Sequence, residues 1–291
     1  MESIITTLLN GLSAGGTYAM IALGYTMVYG IAKMLNFAHG DIIMVGGFTV
    51  AVFFLSTGHP ILGLLVSILL CMALGIIIER VAYRPLRGAS PLAVLITAIG
   101  VSYMLQALAQ IIFGSNGKTA DYLNIPNFSL FGISFESSTV ITVVCSAIIM
   151  IVLSLFVKYT KTGRAMIAVS EDRGAAELMG ISVNKIITIT FAIGSALAAV
   201  AGFFMLWKVA KVNPMTGALP GIKAFAAAVI GGIGSLPGAM LGGLLMGIVE
   251  AFCSGNEYLT AYTDAIVFAV LIIILLVRPS GILGKKRREK V

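Results

Sequence analysis

Few residues in this chain have the setting for covalent chemistry. Ser235, in Gly231-Gly232-Ile233-Gly234-Ser235-Leu236-Pro237-Gly238, has the look of a nucleophile beside a glycine-rich oxyanion loop. A serine nucleophile needs a base within hydrogen-bond reach. The two histidines, His39 and His59, have no spacing that brings either one to it. Gly117-Lys118-Thr119 looks like the end of a phosphate-binding loop, but the full pattern needs glycine where Ile112 stands. No other such loop exists, so any ATP hydrolysis must come from a separate subunit. Cys71, Cys145 and Cys253 fall in or at the ends of apolar runs and read as small core residues, not as a disulfide or metal set. The expectation is a chain with no catalytic residue, no metal and no cofactor of its own.

What remains are polar groups in apolar surroundings, the residue class that marks paths and proton relays in membranes. Asn36, His39 and Asp41 flank the start of an apolar run. His39 and Asp41 read better as helix-start caps near an interface, and Asn36 as a hinge or pathway residue paired with Asn213. Gln106 and Gln110, four apart, share a helix face; they line a path or bond a neighbouring helix, and the second is commoner. Glu250 is a pathway or interhelical residue, and Asp264 is interfacial. Glu79, Arg80, Arg84 and Arg87 read as snorkelling anchors.

Composition decides what positions these groups. Of 291 residues, 59% are hydrophobic and 11% charged, with mean hydropathy +1.04. Soluble domains carry about 25% charge, so this is an all-α integral membrane protein. A spanning helix needs about 20 apolar residues for a hydrocarbon core of about 30 Å. Candidate spans are 5–29, 35–56, 61–79, 91–113, 138–157, 186–206, 222–235, 238–254 and 260–277. The seventh is short and runs into the glycine-rich stretch, so it reads as a half-helix or re-entrant segment and the count is eight or nine. The expected organisation is a single domain over 1–291, with halves at about 1–137 and 186–291. The net charge of +7 reports orientation, not nucleic acid. With nine crossings, fifteen of the 19 basic residues fall on the side of the C-terminus. The positive-inside rule then puts the N-terminus outside and the C-terminus in the cytoplasm. The four outside are Lys118, Lys208, Lys211 and Lys223, of which the last three read as a solvated loop or as a docking site for an acidic partner. The external loop 114–137 alternates apolar residues with turn formers and reads as a small hairpin or cap.

Two stretches look alike. Residues 28–47 and 206–232 both run through Ala-Lys to Asn (Ala32-Lys33…Asn36, Ala210-Lys211…Asn213). In each, a glycine follows the Asn by four residues (Gly40, Gly217), and the stretch ends in Gly-Gly. Spans one to four and six to nine start on opposite sides, so this is either an inverted repeat, with Gly231, Gly232 and Gly234 as hinge candidates, or a chance match in low-diversity membrane sequence.

The longest polar interruption is 158–185. Gly163 ends the fifth span, 164–169 make about two turns, and Ser170 caps a second short helix with Glu171 and Asp172 in its first turn. Ala175, Leu178 and Met179 form one small apolar face, and Gly180 stops the helix. Small alanines mixed with both charge signs suit docking into a groove on another protein.

Ala175-Ala176 with Gly180 resembles the Ala-Ala-x3-Gly loop of bacterial ABC-importer permeases. The longer string SEDRGAAELMGI is similar to Liv-type, LivH-like branched-chain amino-acid permeases, as are LNFAHGDIIMVGGF at 35–48, ERVAYRPLRG at 79–88, 221–250 and RPSGILG at 278–284. The resemblance covers essentially the whole chain. One departure is Gly174, where many such loops have Glu before Ala-Ala, which leaves Glu171, Asp172 and Glu177 as the acids open to meet an ATPase. The resemblance implies a fold similar to the vitamin B12-type (type II) importer permeases in the bacterial inner membrane. It implies a coupling loop at 158–185 comprising Glu171, Asp172, Arg173, Ala175, Ala176, Glu177, Leu178 and Gly180. The implied partners are a second, LivM-like permease, two ATPases that bind ATP and Mg, and a periplasmic amino-acid-binding protein. An apolar path with few charges fits a branched-chain or other hydrophobic amino acid delivered by that protein. The alternative is an ion-coupled secondary transporter, which wants buried carboxylates with partners near the midplane, and Glu250 is its main support.

Overall fold

Runs of apolar residues with small residues between them form helices nearly throughout. The structure, a computed structural model, describes residues 2–120, 128–130 and 133–284. The long helices are α1 (Glu2–Ala32), α2 (His39–Thr57), α3 (Pro60–Ile78), α4 (Pro91–Phe113) and α5 (Ser137–Tyr159). Two short helices follow, α6 (Lys161–Glu171) and α7 (Arg173–Leu178). Then come α8 (Val183–Val209), α9 (Ala218–Gly231), α10 (Leu236–Ser254) and α11 (Thr263–Val277). Past α3 the chain winds on through a π turn at Glu79–Tyr83 and a 3₁₀ turn at Arg84–Leu86. Local chemistry marks the ends. Gly58, at φ +74°, closes α2, and Ser90 caps α4 ahead of Pro91. Ser235 caps α10, its Oγ accepting from the Gly238 N–H at 3.2 Å. That hydroxyl, considered above as a nucleophile, caps the start of a helix.

Seven helices among the described residues are long and apolar enough to cross a membrane, and α9, with 14 residues, is shorter. The 31-residue α1 lies outside the seven because glycines, threonines and tyrosines interrupt its apolar run. It is instead the helix the others surround, packing on α10, α8, α5 and α9. The α1–α10 seam is built from two Gly-x3-Gly pairs. A Cβ on Gly11 or Gly15 would fall 2.9 and 2.8 Å from the backbone of Ile248 and Leu244, and Gly247 faces Gly15. Such close approach lets dispersion and main-chain contacts hold helices together where lipid supplies no hydrophobic drive.

Contacts at the ends of the elements fix how the chain alternates. Call the face where α1 ends the loop face. Arg87, past α3, bonds Asn184, just inside the start of α8, and Arg173 of α7 bonds the carbonyls ending α1. Ile282, past α11, donates to Ile230 at the end of α9 (2.8 Å). On the far face, β1 (Lys118–Thr119), after α4, pairs antiparallel with β4 (Lys211–Val212), after α8. β2 (Phe128–Leu130) and β3 (Ile133–Phe135) form the expected small hairpin there. Every one of these contacts fits an alternation in direction along the described helices α1–α5 and α8–α11.

The two similar stretches are counterparts in the register expected for Asn36–Asn213 and Gly40–Gly217, and only the Ala-Lys match shifts by one residue. Lys33 and Ala210 each stand one residue past a helix end, and they are the only described non-glycine residues at positive φ, at 54° and 55°. Lys33 therefore matches Ala210, not Lys211, and the same spacing then aligns Asn36 with Asn213 and Gly40 with Gly217. Packing repeats accordingly. α1 on α9 mirrors α8 on α2, α1 on α10 mirrors α8 on α3, α2 on α3 mirrors α9 on α10, and α2 on α4 mirrors α9 on α11. Because five passes precede α8, the two sets run in opposite senses, which is an inverted repeat.

Candidate functional site

Two regions collect the candidate residues: the start of α2 and α9 inside the bundle, and the α6–α7 pair on the loop face. The first departs from the sequence reading. His39 and Asp41 do not cap α2 at an interface; Ala38 holds the cap position and no side chain bonds there. After α1 the chain turns back inward before α2 begins. His39, 1% exposed, packs beside Gly24, which lies eight residues before the end of α1 and so about 12 Å in from the loop face. Its ring meets Tyr25 edge-on at 4.7 Å, and its Nε2 has no hydrogen-bond partner among the described residues. Asp41, 2% exposed, accepts from Gln106 Nε2 at 2.9 Å. Gln106 thus bonds a neighbouring helix, and Gln110 faces outward.

From the other face the chain does the same ahead of α9. The two helix starts touch backbone to backbone: a Cβ on Gly40 would stand 2.5 Å from the Gly217 carbonyl oxygen, and a Cβ on Gly217 would overlap that of Gly40. Phe225 of α9 closes over the junction, 5.7 Å from Tyr25 and 5.6 Å from Phe37 between ring centroids. Two helix N-termini, with their partial positive ends, therefore meet within the protein. The paired asparagines do different work. Asn36 accepts from the Tyr83 hydroxyl at 2.9 Å, tying the inward turn to the π segment after α3. Asn213 holds its own turn, its Oδ1 accepting from the Met215 N–H at 2.8 Å. Gly231, Gly232 and Gly234 form the turn between α9 and α10, where Gly231 packs on the backbone of Gly238 and Gly232 and Gly234 take φ +102° and +94°.

Two ionic clusters replace readings made from sequence. Glu79 is no snorkelling anchor. It is wholly buried, salt-bridged to Arg87, and accepts from Thr188 at 2.7 Å, which joins α3 to α8. Its place in a π turn carries the carboxylate inward, while Arg80 beside it stays exposed. Lys223 is no loop lysine. It is 7% exposed within α9 and bridges Glu250 of α10 and Asp264 of α11, each at 2.7 Å. Glu250 is therefore interhelical. The sequence signal for both was a charge inside an apolar run; the partners, far away in the chain, carried no signal of their own.

On the loop face Thr160 caps α6, accepting from the Gly163 N–H at 2.9 Å, so Gly163 begins a helix where it was expected to end one. α6 runs eleven residues, and Met166 and Val169 bury against the bundle. Ser170 lies inside α6, its Oγ donating to the Ile167 carbonyl at 2.7 Å. The cap of α7 is Asp172, whose Oδ1 accepts from the Ala175 N–H at 3.0 Å. Either residue is a good cap type. Packing selects Asp172, because the helix must start where Ala176 (3% exposed) turns inward and Arg173 reaches the Ile31 and Ala32 carbonyls. Gly180, at φ +80°, ends α7, with the Ile181 N–H closing on the Ala176 carbonyl at 3.0 Å. The outward side carries Leu178 and Met179, 91% and 82% exposed, flanked by exposed Glu171, Ala175 and Glu177. Two large apolar side chains held into water beyond a short, doubly capped helix are costly unless another surface receives them.

Comparison with known proteins gives this geometry a family. Residues 7–275 match the model of the family described as branched-chain amino acid transport system, permease component. The chain is 45% identical to the high-affinity branched-chain amino acid transport system permease protein BraD of Pseudomonas aeruginosa, over 98% of this chain and 97% of that one. It is 42% identical to the permease protein LivH of Escherichia coli K12, over 97% and 96%. The solved structure of PsaBC from Streptococcus pneumoniae in complex with Fab overlays loosely, at 18% identity and TM-score 0.46, over 96% of this chain and 91% of its own. The full-length family match and the identity to curated permeases lead to one statement: this multi-pass membrane protein belongs to the family of permease components of branched-chain amino acid transport systems.

Proposed function

We propose that the chain is one membrane-spanning subunit of an ATP-driven importer of branched-chain and similar hydrophobic amino acids, and that α7 is where the ATPase grips it. The observation that carries the second half is the two-sidedness of α7. Ala176 and Arg173 fasten it to the end of α1, while Leu178 and Met179 stand in solvent. A push on those side chains passes through Arg173 to the last carbonyls of α1, and from there to the inward turn at Lys33–Asn36 and the α2–α9 junction. Of the three acids, Asp172 is engaged in capping, so Glu171 and Glu177 are the ones free to meet basic groups on an ATPase.

The loop face is the cytoplasmic face in this reading. Its support is the positive-inside bias, with Arg80, Arg84, Arg87, Lys158, Lys161 and Arg164 all on that side. The C-terminal basic cluster, Lys285 to Lys290, lies outside the described residues. The far face then meets a periplasmic binding protein, and a second, LivM-like permease completes the path. ATP and Mg belong to two separate ATPase subunits, and this chain performs no covalent chemistry.

Purification of a tagged chain from cells expressing the neighbouring genes tests the proposal. An ATPase and a second permease are expected to come with it, and Leu178→Asp is expected to lose the ATPase while keeping the permease. If the chain purifies alone and moves leucine in liposomes without ATP, the proposal fails.

A further inference from the structure

One side of the bundle is unsuited to lipid. α9 has 14 residues, about 21 Å, and does not by itself cross a hydrocarbon core of about 30 Å. Beside it, residues 33–38 run unwound from the end of α1 inward to His39. Non-helical backbone at such depth is held only where protein covers it or water reaches it. Yet this side lies open: Leu219 and Ile222 of α9 are exposed, and Leu35, Phe37 and Phe225 are half-buried. The outer faces of α3 and α5 differ. They are unbroken helix with large exposed aliphatic side chains, Leu69 and Ile151 among them, as lipid requires. What faces α9 and the unwound turn is therefore the inside of an assembly.

The two halves of the inverted repeat meet on that side, and substrate sites form where such interrupted helices pair. A crevice lies there between Tyr25, Tyr29, Leu35, Asn36, Phe225 and Ile233. Its free volume is about 10 Å³, room for about one water molecule and none for an amino acid. Phe225 closes it. Its ring stands 5.7 Å from Tyr25 of α1 and 5.6 Å from Phe37 of the inward turn. Phe225 belongs to the second half of the repeat and the other two rings to the first, so any shift of α9 against the turn parts them. The turn hangs from the end of α1, whose last carbonyls Arg173 of α7 holds. Motion of α7 thus arrives at Phe37. We propose that Tyr25, Phe37 and Phe225 form the gate of the substrate path, and that the exposed side of α9 lines that path. Closed, the rings exclude water and ions as an apolar constriction. Parted, they offer apolar surface to the branched side chain of the amino acid. The proposal rests on the transport reading above.

Two measurements on the co-purified complex in proteoliposomes test it. The first treats Ile222→Cys and Ile151→Cys with a charged, membrane-impermeant thiol reagent, the wild-type chain with its own cysteines giving the background. The two side chains are similarly exposed in the chain alone, at 45% and 57%. Ile222→Cys on α9 is expected to react several-fold faster than Ile151→Cys on α5, because only a water-reached thiol ionises and reacts. The second measures efflux of preloaded leucine without ATP. Phe225→Ala is expected to raise it several-fold over the wild type, and Phe225→Leu, which keeps an apolar plug, to restore most of the seal. Equal, slow reaction of the two cysteines overturns the path, and unchanged efflux in Phe225→Ala overturns the gate. Equal leaks in Phe225→Ala and Phe225→Leu also overturn the gate, since a plug of apolar bulk is what it claims. Should Phe225→Ala fail to assemble, Ile222→Cys, at an exposed side chain, still decides the path. Leucine uptake by the wild-type complex in the same vesicles separates this proposal from the reading beneath it. Uptake that needs ATP alongside an unreactive Ile222→Cys sinks the gate and path alone, whereas uptake without ATP sinks the transport reading.

Discussion

Gly40→Ala and Gly217→Ala probe the place where the two inward-turned helices meet. At Gly40 an added Cβ would stand 2.5 Å from the Gly217 carbonyl oxygen and 3.3 Å from Gly221 Cα. Ordinary heavy-atom contacts lie at about 3.5 Å, so α9 must retreat by roughly 1 Å. At Gly217 the clash with the Gly40 carbonyl is more severe, and both partners are backbone, which has no rotamer to change. Overpacking of this kind costs about 1–3 kcal/mol. For a chain of this size that is a fall of roughly 2–6 °C in melting temperature, taking about 2 °C per kcal/mol. Gly100→Ala is the control, because its Cβ meets nothing within 4 Å and its backbone is ordinary α4 helix. It is expected to hold or raise stability, by up to about 1 kcal/mol. Thermal unfolding in detergent, followed by intrinsic fluorescence, reads all three. Because Gly40 and Gly217 touch each other, the double variant is expected to cost less than the sum of the singles. If both substitutions track the Gly100→Ala control, the two helix starts do not meet and the inverted-repeat account of the centre is wrong.

Three further outcomes follow from the same geometry. Glu79→Ala strands the Arg87 guanidinium and the Thr188 hydroxyl in a buried site and is expected to cost about 3–5 kcal/mol, read as a lower melting temperature or lost expression; a near-neutral effect would mean the pair is not buried. Lys223→Met leaves Glu250 and Asp264 facing each other without their cation, and Glu250→Gln in the same chain is expected to recover part of the stability; a double-mutant cycle with no coupling would remove the α9–α10 link. Met179→Asp, at a side chain 82% exposed, is expected to change stability by less than about 0.5 kcal/mol yet separate ATP hydrolysis from uptake in the assembled transporter; unimpaired coupling would move the ATPase contact away from α7.

Span positions are legible because they need only local information. An apolar run bounded by Ser90-Pro91 and Gly114 is α4 whatever surrounds it, and observed and expected limits agree at 91–113. Depth is not local. Asn36, His39 and Asp41 follow Lys33, and a basic residue at the end of a span normally marks an interface. Here the chain re-enters after Lys33, and what holds it in is Tyr83, Gln106 and Gly217, all far away in sequence. Lys223 was misplaced for the same reason: its two acids lie on α10 and α11. In the loop, the small apolar face at Ala175, Leu178 and Met179 was readable from spacing. That it points outward was not, because Ala176 and Arg173 decide it by docking on α1. Ser170 was expected as the cap with Asp172 in the first turn, and docking on α1 moves the helix start on to Asp172.

The central claim is that ATP hydrolysis elsewhere moves this bundle through α7. Leucine uptake into proteoliposomes holding the co-purified complex, with the binding protein supplied outside and ATP inside, tests it most directly. The account predicts accumulation that requires ATP and the binding protein and that collapses in Leu178→Asp while the complex's membrane subunits stay folded. Uptake that proceeds without ATP and follows an imposed proton or sodium gradient would contradict it.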